Sequence, residues 1–285
     1  MYQRILVATG GSPWSNAAVT YATGLAARTG AELRILTVLT SEASDLADRP
    51  TSEEPVLSSL DSESQALLHH AATHAIRMRV VYATHAAQGS IPTAIRQTAE
   101  DEDCDLIVMG ARRAVGLQRR TLGGIVNAVG AQATQPVMVI KASSNLDRPL
   151  GHRILVATGG SPWSEAAVEH ALQLAQSLQL ELYVLHVEAD AVRPGASPRA
   201  AEVSSLVSAV TTRAAALGVA CEGMQVSGNI PETLVATAIE TQCSTMILGS
   251  RGVIGWSRPQ LGAIVNAVAA RTDLPVLVVK HFVSA

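Results

Sequence analysis

Two stretches of this sequence combine glycine and arginine in a way suited to holding an anion. One reads Gly249-Ser250-Arg251-Gly252, then nine residues, then Gly262-Ala263; the other reads Gly110-Ala111-Arg112-Arg113, nine residues, then Gly123-Gly124. Glycines let a backbone approach a ligand closely, and a helix starting there offers unpaired N–H groups to phosphate. Arg112 and Arg251 hold equivalent positions, as do Arg119 and Arg258, whereas Arg113 and Arg120 belong to one stretch alone. The guanidinium fork matches phosphate oxygens, although solvated loop arginines are the plainer reading. A second pair of glycine turns, Thr9-Gly10-Gly11-Ser12 and Thr158-Gly159-Gly160-Ser161, stands just before expected helix starts. Their N–H groups could gather into an anion-binding nest; a tight turn is the simpler reading. Val38 and Val187, late in the second expected strand of each half, complete the candidate set.

These motifs come in pairs because the chain repeats itself. RILVATGGSPWS at residues 4–15 recurs unchanged at residues 153–164. Gly89, Gly110, Gly123 and Pro136 recur as Gly228, Gly249, Gly262 and Pro275, with the second copy shorter between strand two and Gly228. The longer copy carries residues 40–55, acidic and rich in Ser, Thr and Pro, which read as a solvated loop. The expected domains are residues 1–141 and 152–285, joined by a polar linker at 142–151.

Each copy alternates apolar strands with helices. In the first, strands are expected at residues 4–9, 32–39, 79–86, 106–109 and 137–140, with helices starting near Pro13, Leu57, Pro92 and Leu122. Ser12 and Ser161 are natural N-caps, each followed by proline at the first helical position. Continuous apolar strands between helices predict an α/β fold with a doubly wound parallel sheet in each domain. Ligands of such sheets bind beyond the carboxyl ends of the strands where the strand order reverses, which directs attention to the loops after strands one and four.

Composition narrows the function classes. Aromatic residues make up 3% and apolar residues 48%, so the cores are built from small aliphatic side chains. A net charge of −3 gives no electrostatic reason to expect nucleic acid or an anionic membrane as partner. Cys104, Cys221 and Cys243 form neither a disulfide framework nor a CxxC zinc pair. The start of the chain reads straight into a strand without a signal peptide, so a cytoplasmic location is expected.

The glycine spacing after strand four resembles the nucleotide motif of the universal stress proteins: glycine, two residues, glycine, nine residues, glycine, then serine or threonine. The ILVATGGSPWS openings and the PVMVIK and PVLVVK endings are similar to that family as well, and the resemblance spans nearly the whole chain twice. It implies strand order 3-2-1-4-5 in each five-stranded sheet. It also implies pairing through the last strand, so that 137–140 and 276–279 would make the fused halves an internal pseudo-dimer, which could pair again as a homodimer. An adenine nucleotide, ATP or AMP, is the implied cofactor. Both copies depart from the binding pattern. The hydroxyl position is Gly124 or Ala263, the aspartate that lies near the ribose is Gly10 or Gly159, and the second glycine is Arg113 in copy one. The candidate cofactor residues are therefore foremost Gly159, Gly160, Ser161, Val187, Gly249, Arg251, Gly252, Gly262 and Ala263. A weaker first-copy set is Gly10, Gly11, Ser12, Val38, Gly110, Arg112, Gly123 and Gly124.

The leading expectation is thus a stress-response binding or regulatory protein; a scaffold of the same fold without nucleotide is the second reading, and a weak ATP-hydrolysing enzyme the third. Thr9-Gly10-Gly11-Ser12 is similar to the SGGxDS loop of related adenine-nucleotide enzymes but lacks its aspartate, and no Walker A, HExxH or GxSxG sequence occurs. No catalytic residue is nominated. Trp14, Trp163 and Trp256 are candidates for stacking on a base or for ordinary packing. Cys104 and Cys243 read as small buried residues. His70 and His74 share a helix face without an evident third metal ligand.

Overall fold

A computed structural model describes residues 1–39, 62–112, 122–189, 200–251 and 261–280, with the backbone alone at 200–205. The chain divides between Pro149 and Leu150 into two compact units.

The N-terminal unit runs β1 (Arg4–Ala8), α1 (Pro13–Thr29), β2 (Glu32–Leu39), α2 (Ser62–Arg77), β3 (Tyr82–Gln88), α3 (Ile91–Asp101), β4 (Leu106–Gly110), α4 (Gly124–Gln132) and β5 (Val137–Ile140). Its strand order is β3-β2-β1-β4-β5, and every pairing is parallel. The C-terminal unit repeats the plan with β6 (Arg153–Ala157), α5 (Pro162–Leu178), β7 (Glu181–Ala189), α6 (Ala200–Ala216), β8 (Cys221–Gly228), α7 (Ile230–Glu240), β9 (Thr245–Gly249), α8 (Ala263–Arg271) and β10 (Val276–Val279). Its order is β8-β7-β6-β9-β10, again wholly parallel. The family's strand order thus holds in both units.

The central strands are apolar at consecutive positions because helices cover both faces. Ile5, Leu6, Val7, Leu106, Ile107 and Val108 are fully buried, and so are Ile154, Leu155 and Val156. In the N-terminal unit α1 packs on β1 and β4 and touches α2, while α3 touches α4. Right-handed crossovers place these two helix pairs on opposite faces, because the chain moves outward from β1 in one direction and then returns to build the other side. The strand order reverses between β1 and β4, and between β6 and β9, as the loop argument requires.

Two element starts differ from expectation. β3 begins at Tyr82 rather than at residue 79, because Arg79 takes a left-handed backbone (φ 56°) and the Val80 N–H closes back on the Ala75 carbonyl. Those residues finish α2, so they cannot start a strand. α4 begins at Gly124, not Leu122, with Gly123 as its N-cap. α2 is described from Ser62, and the start expected near Leu57 lies outside the described residues. Part of the expected linker is anchored on the N-terminal unit, since Arg28 Nη1 donates to the Pro149 carbonyl at 2.5 Å.

Candidate functional site

The turn after β1 is built around a serine pair. Ser12 caps α1 with Pro13 at the first helical position, and its Oγ accepts the Ser15 N–H at 3.2 Å. Ser161 does the same for Ser164 in the C-terminal unit, where Ser164 Oγ also accepts the Ser161 N–H at 3.0 Å and closes a capping box. The expected caps are therefore present. Gly11 and Gly160 need to be glycine, because their φ values of 75° and 71° lie in the left-handed region. The tight-turn reading gains from this, while the nest reading weakens. Gly10 N–H points to Ser15 Oγ at 3.4 Å and Gly159 N–H to Ser164 Oγ at 3.3 Å, so the protein's own hydroxyls already engage those donors. Gly10 and Gly159 themselves are sterically unconstrained: a Cβ on either would meet nothing within 4 Å.

The loop after β4 and β9 has a different logic. A Cβ at Gly249 would stand 2.5 Å from the Trp163 carbonyl oxygen, and one at Gly110 would overlap the Trp14 carbonyl. These two glycines let the first turn of α5 and of α1 lie directly on the strand end, a packing role that the sequence did not reveal. Further along, Gly123 and Gly262 are the N-caps of α4 and α8, and neither helix start has a side-chain cap. Gly123 and Gly124 have open space beyond their Cα atoms, and Ala263 is exposed. The first N–H groups of α4 and α8 are thus presented without a capping hydroxyl, where the helix macrodipole favours negative charge.

The two equivalent arginines sit on tryptophan. The Arg112 guanidinium lies 5.5 Å from the Trp14 ring centroid, and that of Arg251 lies 5.9 Å from Trp163. Cation–π stacking holds them at the rim of the site, between the β1-type turn and the β4-type loop. Sequence reasoning listed these arginines and tryptophans separately; the stack joins them.

Two further features were missed. Lys280, directly after β10, is pushed down to about 8 by burial and then by neighbouring Arg251, so two cations meet beside the β9 loop. Its N-terminal counterpart, Lys141, is buried and its N–H is received by Ser144 Oγ at 3.1 Å. The signal available was a lysine recurring immediately after the last strand of each copy. The second feature is Thr158, 5% exposed, whose Oγ1 has no partner among the described residues, whereas Thr9 Oγ1 accepts the Gly11 N–H at 3.4 Å. The Thr158 carbonyl in turn accepts from His186 Nδ1 at 2.9 Å. Val38 and Val187 lie near the carboxyl ends of β2 and β7, in register with Ala87 and Val226.

The structure thus brings together, in each unit, the glycine turn, the first helix and the end of the fourth strand. Arg113, Arg119, Arg120, Leu117, Gly252, Trp256 and Arg258 lie outside the described residues. Cys104 and Cys243 are buried as expected, and burial drives the Cys104 thiol up to about 12, so it is a packing group rather than a nucleophile. His70 and His74 do share a face, with ring centroids 5.7 Å apart, and no group of three potential metal ligands occurs among the described residues. No described helix is long and apolar enough to cross a membrane.

Comparison with known proteins agrees with this geometry. Universal stress protein YxiE of Bacillus subtilis is 28% identical over 146 residues, 45% of this chain and 99% of that protein. Universal stress protein MJ0531 of Methanocaldococcus jannaschii is 31% identical over 143 residues, 50% of this chain and 83% of that protein. Among solved structures, a universal stress protein from Archaeoglobus fulgidus aligns with a TM-score of 0.74 at 21% identity, covering 98% of this chain and 96% of that one. A universal stress protein structure from Pseudomonas aeruginosa aligns with a TM-score of 0.65 at 18% identity over 98% and 93% of the two chains. The model of the Universal stress protein family matches twice, over residues 1–141 and 151–280, and the chain belongs to that family as a tandem of two of its domains.

Proposed function

We propose that this tandem universal stress protein is a cytoplasmic binding and regulatory protein whose C-terminal unit holds an adenine nucleotide, ATP or AMP, by its phosphates. The observation that carries this reading is the α8 N-terminus, which has no side-chain cap, with the Arg251 guanidinium held over Trp163 at the same end of the sheet. A phosphate there would meet the helix N–H groups and the fork of the guanidinium. The unpartnered Thr158 hydroxyl adds a buried polar group on the side where the family's ribose-directed carboxylate stands. The N-terminal unit is the weaker site, because Arg113 replaces the glycine that the C-terminal loop has at Gly252.

Calorimetry with ATP and AMP on the intact chain tests this. Micromolar or weaker affinity is expected, since both units lack the aspartate and the hydroxyl. Gly252→Arg should remove most of the binding and Arg113→Gly should create a second weak site. Gly159→Asp, which meets open space, should strengthen binding about tenfold through a charge-assisted hydrogen bond of ~1.5 kcal/mol. An ATP affinity left unchanged by Gly252→Arg would sink the assignment. A scaffold module without nucleotide is the second reading, favoured by the serine hydroxyls that already engage the Gly10 and Gly159 N–H groups. Mass spectrometry of small molecules that copurify with the protein separates the two.

A further inference from the structure

The outer end of the sheet differs between the units, and the difference leaves a groove in one of them. Strand register places the same stations in correspondence: Leu33 faces Tyr82 and Leu36 faces His85 in the N-terminal unit, as Leu182 faces Cys221 and Leu185 faces Met224 in the C-terminal unit. Arg34 and Tyr183 therefore occupy one station, and His85 and Met224 another. Glu102 and Thr241 occupy a third, as the C-caps of α3 and α7.

In the N-terminal unit these stations hold matched charges. Arg34 Nε donates to Glu102 Oε2 at 2.9 Å and its Nη2 to Glu32 Oε2 at 2.8 Å, while His85 Nδ1 lies 3.7 Å from Glu102 Oε1. In the C-terminal unit, Tyr183, Met224 and Thr241 replace this network and leave a groove of about 450 Å³ between α7 and the β7–β8 strands. Its floor is apolar, with Tyr183 buried and Met224 and Ala236 beside it. Its rim carries Glu232 and Glu240, exposed at the two ends of α7 and forming no ion pair among the described residues. Arg153, whose Nη1 donates to the Thr241 carbonyl at 3.4 Å, is already engaged by Glu181 at 2.6 Å and lies 3.6 Å from Glu222. Burial, and then Glu222, Cys243 and Glu240, raise the Tyr183 phenol above its ordinary range, with Arg153 opposing them.

We propose that this groove is a second binding site, distinct from the nucleotide site, for a small organic cation: a primary ammonium carried on an aromatic or alkyl body. Charge complementarity selects the cation, because Glu232 and Glu240 form no ion pair among the described residues. The apolar floor selects the organic body, since a hard metal ion requires an oxygen cage that Tyr183, Met224 and Ala236 do not offer. Tyrosine and a thioether are suited to an ammonium-bearing ring, and the volume falls in the range of small-ligand sites. The N-terminal unit serves as an internal control, because its own Arg34 already supplies the cation at the equivalent place.

The test is a titration of the full chain with benzylammonium at neutral pH, read by NMR of labelled methionine methyl groups. Saturable movement of the Met224 methyl is expected at millimolar probe, with benzyl alcohol, the neutral analogue, at least about fivefold weaker. Glu232→Gln with Glu240→Gln, both exposed and tolerant of change, should weaken benzylammonium at least about fivefold. Tyr183→Arg with Thr241→Glu, which imports the N-terminal ion pair, should abolish the response. If the Met224 methyl does not move, or if benzyl alcohol and the double glutamine variant match benzylammonium on the unaltered chain, the proposal is overturned.

Discussion

The two units share a strand order and a turn geometry, yet they dispose their charges differently. At the sheet edge the N-terminal unit neutralises Arg34 against Glu32 and Glu102, whereas in the C-terminal unit Glu232 and Glu240 form no ion pair among the described residues and stand beside an apolar floor. At the carboxyl ends of the strands, Arg112 is exposed over Trp14 and Lys141 is buried, whereas burial and then Arg251 push the Lys280 ammonium down. What the units hold in common is what the fold cannot do without: the serine caps, the left-handed turn glycines and the glycines under the first helical turn. Duplication thus keeps the positions whose geometry admits one residue type. At the sheet edge, where Arg34 and Tyr183 occupy one station, the units have acquired separate electrostatics.

The common part of this comparison breaks most sharply at Gly110 and Gly249. Gly110→Ala and Gly249→Ala should each destabilise their own unit by about 1–3 kcal/mol, because the added methyl meets helix backbone that cannot rotate away. Gly110→Ala should be the more damaging, since its methyl would lie deeper in the opposing carbonyl. Urea unfolding of the intact chain, followed for each unit, measures this; equal or negligible losses would mean that the helix can slide off the strand end.

The divergent part is sharpened by pH. Lys280, held at about 8, is protonated below that value and loses its charge as pH rises through it. Phosphate or nucleotide affinity at the C-terminal site should therefore fall about three- to tenfold across that interval, with a bound anion moving the midpoint upward. Lys280→Arg should keep the affinity flat, because a guanidinium stays charged. Calorimetric affinities at pH 7 and pH 9 decide it, and a flat profile for the unaltered chain would remove Lys280 from the site.

The smallest effect contrasts Arg79 with Gly218, which hold equivalent left-handed positions at φ values of 56° and 70°. Arg79→Gly should change stability by less than about 1 kcal/mol and in the stabilising direction, whereas Gly218→Arg should destabilise by about 1 kcal/mol. Paired thermal melts read both, and a destabilising Arg79→Gly would show that the Arg79 side chain makes contacts that outweigh its backbone strain.

Much of this architecture was legible before any coordinates. The unbroken apolar runs at residues 4–9 and 106–109 announce strands buried on both faces, and Ser-Pro at 12–13 and 161–162 announces helix starts, since both signals are local. The third strand was misplaced because Arg79, Val80 and Val81 look like strand residues. Their conformation is set by the closing turn of α2, which side-chain composition does not record. The site was half legible: glycine, arginine and tryptophan were each visible, but their grouping was not.

The sequence by itself determined the duplication, the α/β class, the caps and the glycine turns, because all of these follow from periodicity, turn chemistry and an exact internal repeat. Only the tertiary structure decided what each of those residues does. Gly110 and Gly249 serve helix packing, Arg112 and Arg251 lie over tryptophan rings, and Lys280 meets Arg251, because contacts between residues far apart in the chain depend on strand order and register. The groove at the C-terminal sheet edge exists for the same reason. Tyr183, Met224 and Thr241 are unremarkable along the chain, and they become a cavity only where parallel pairing sets them beside α7.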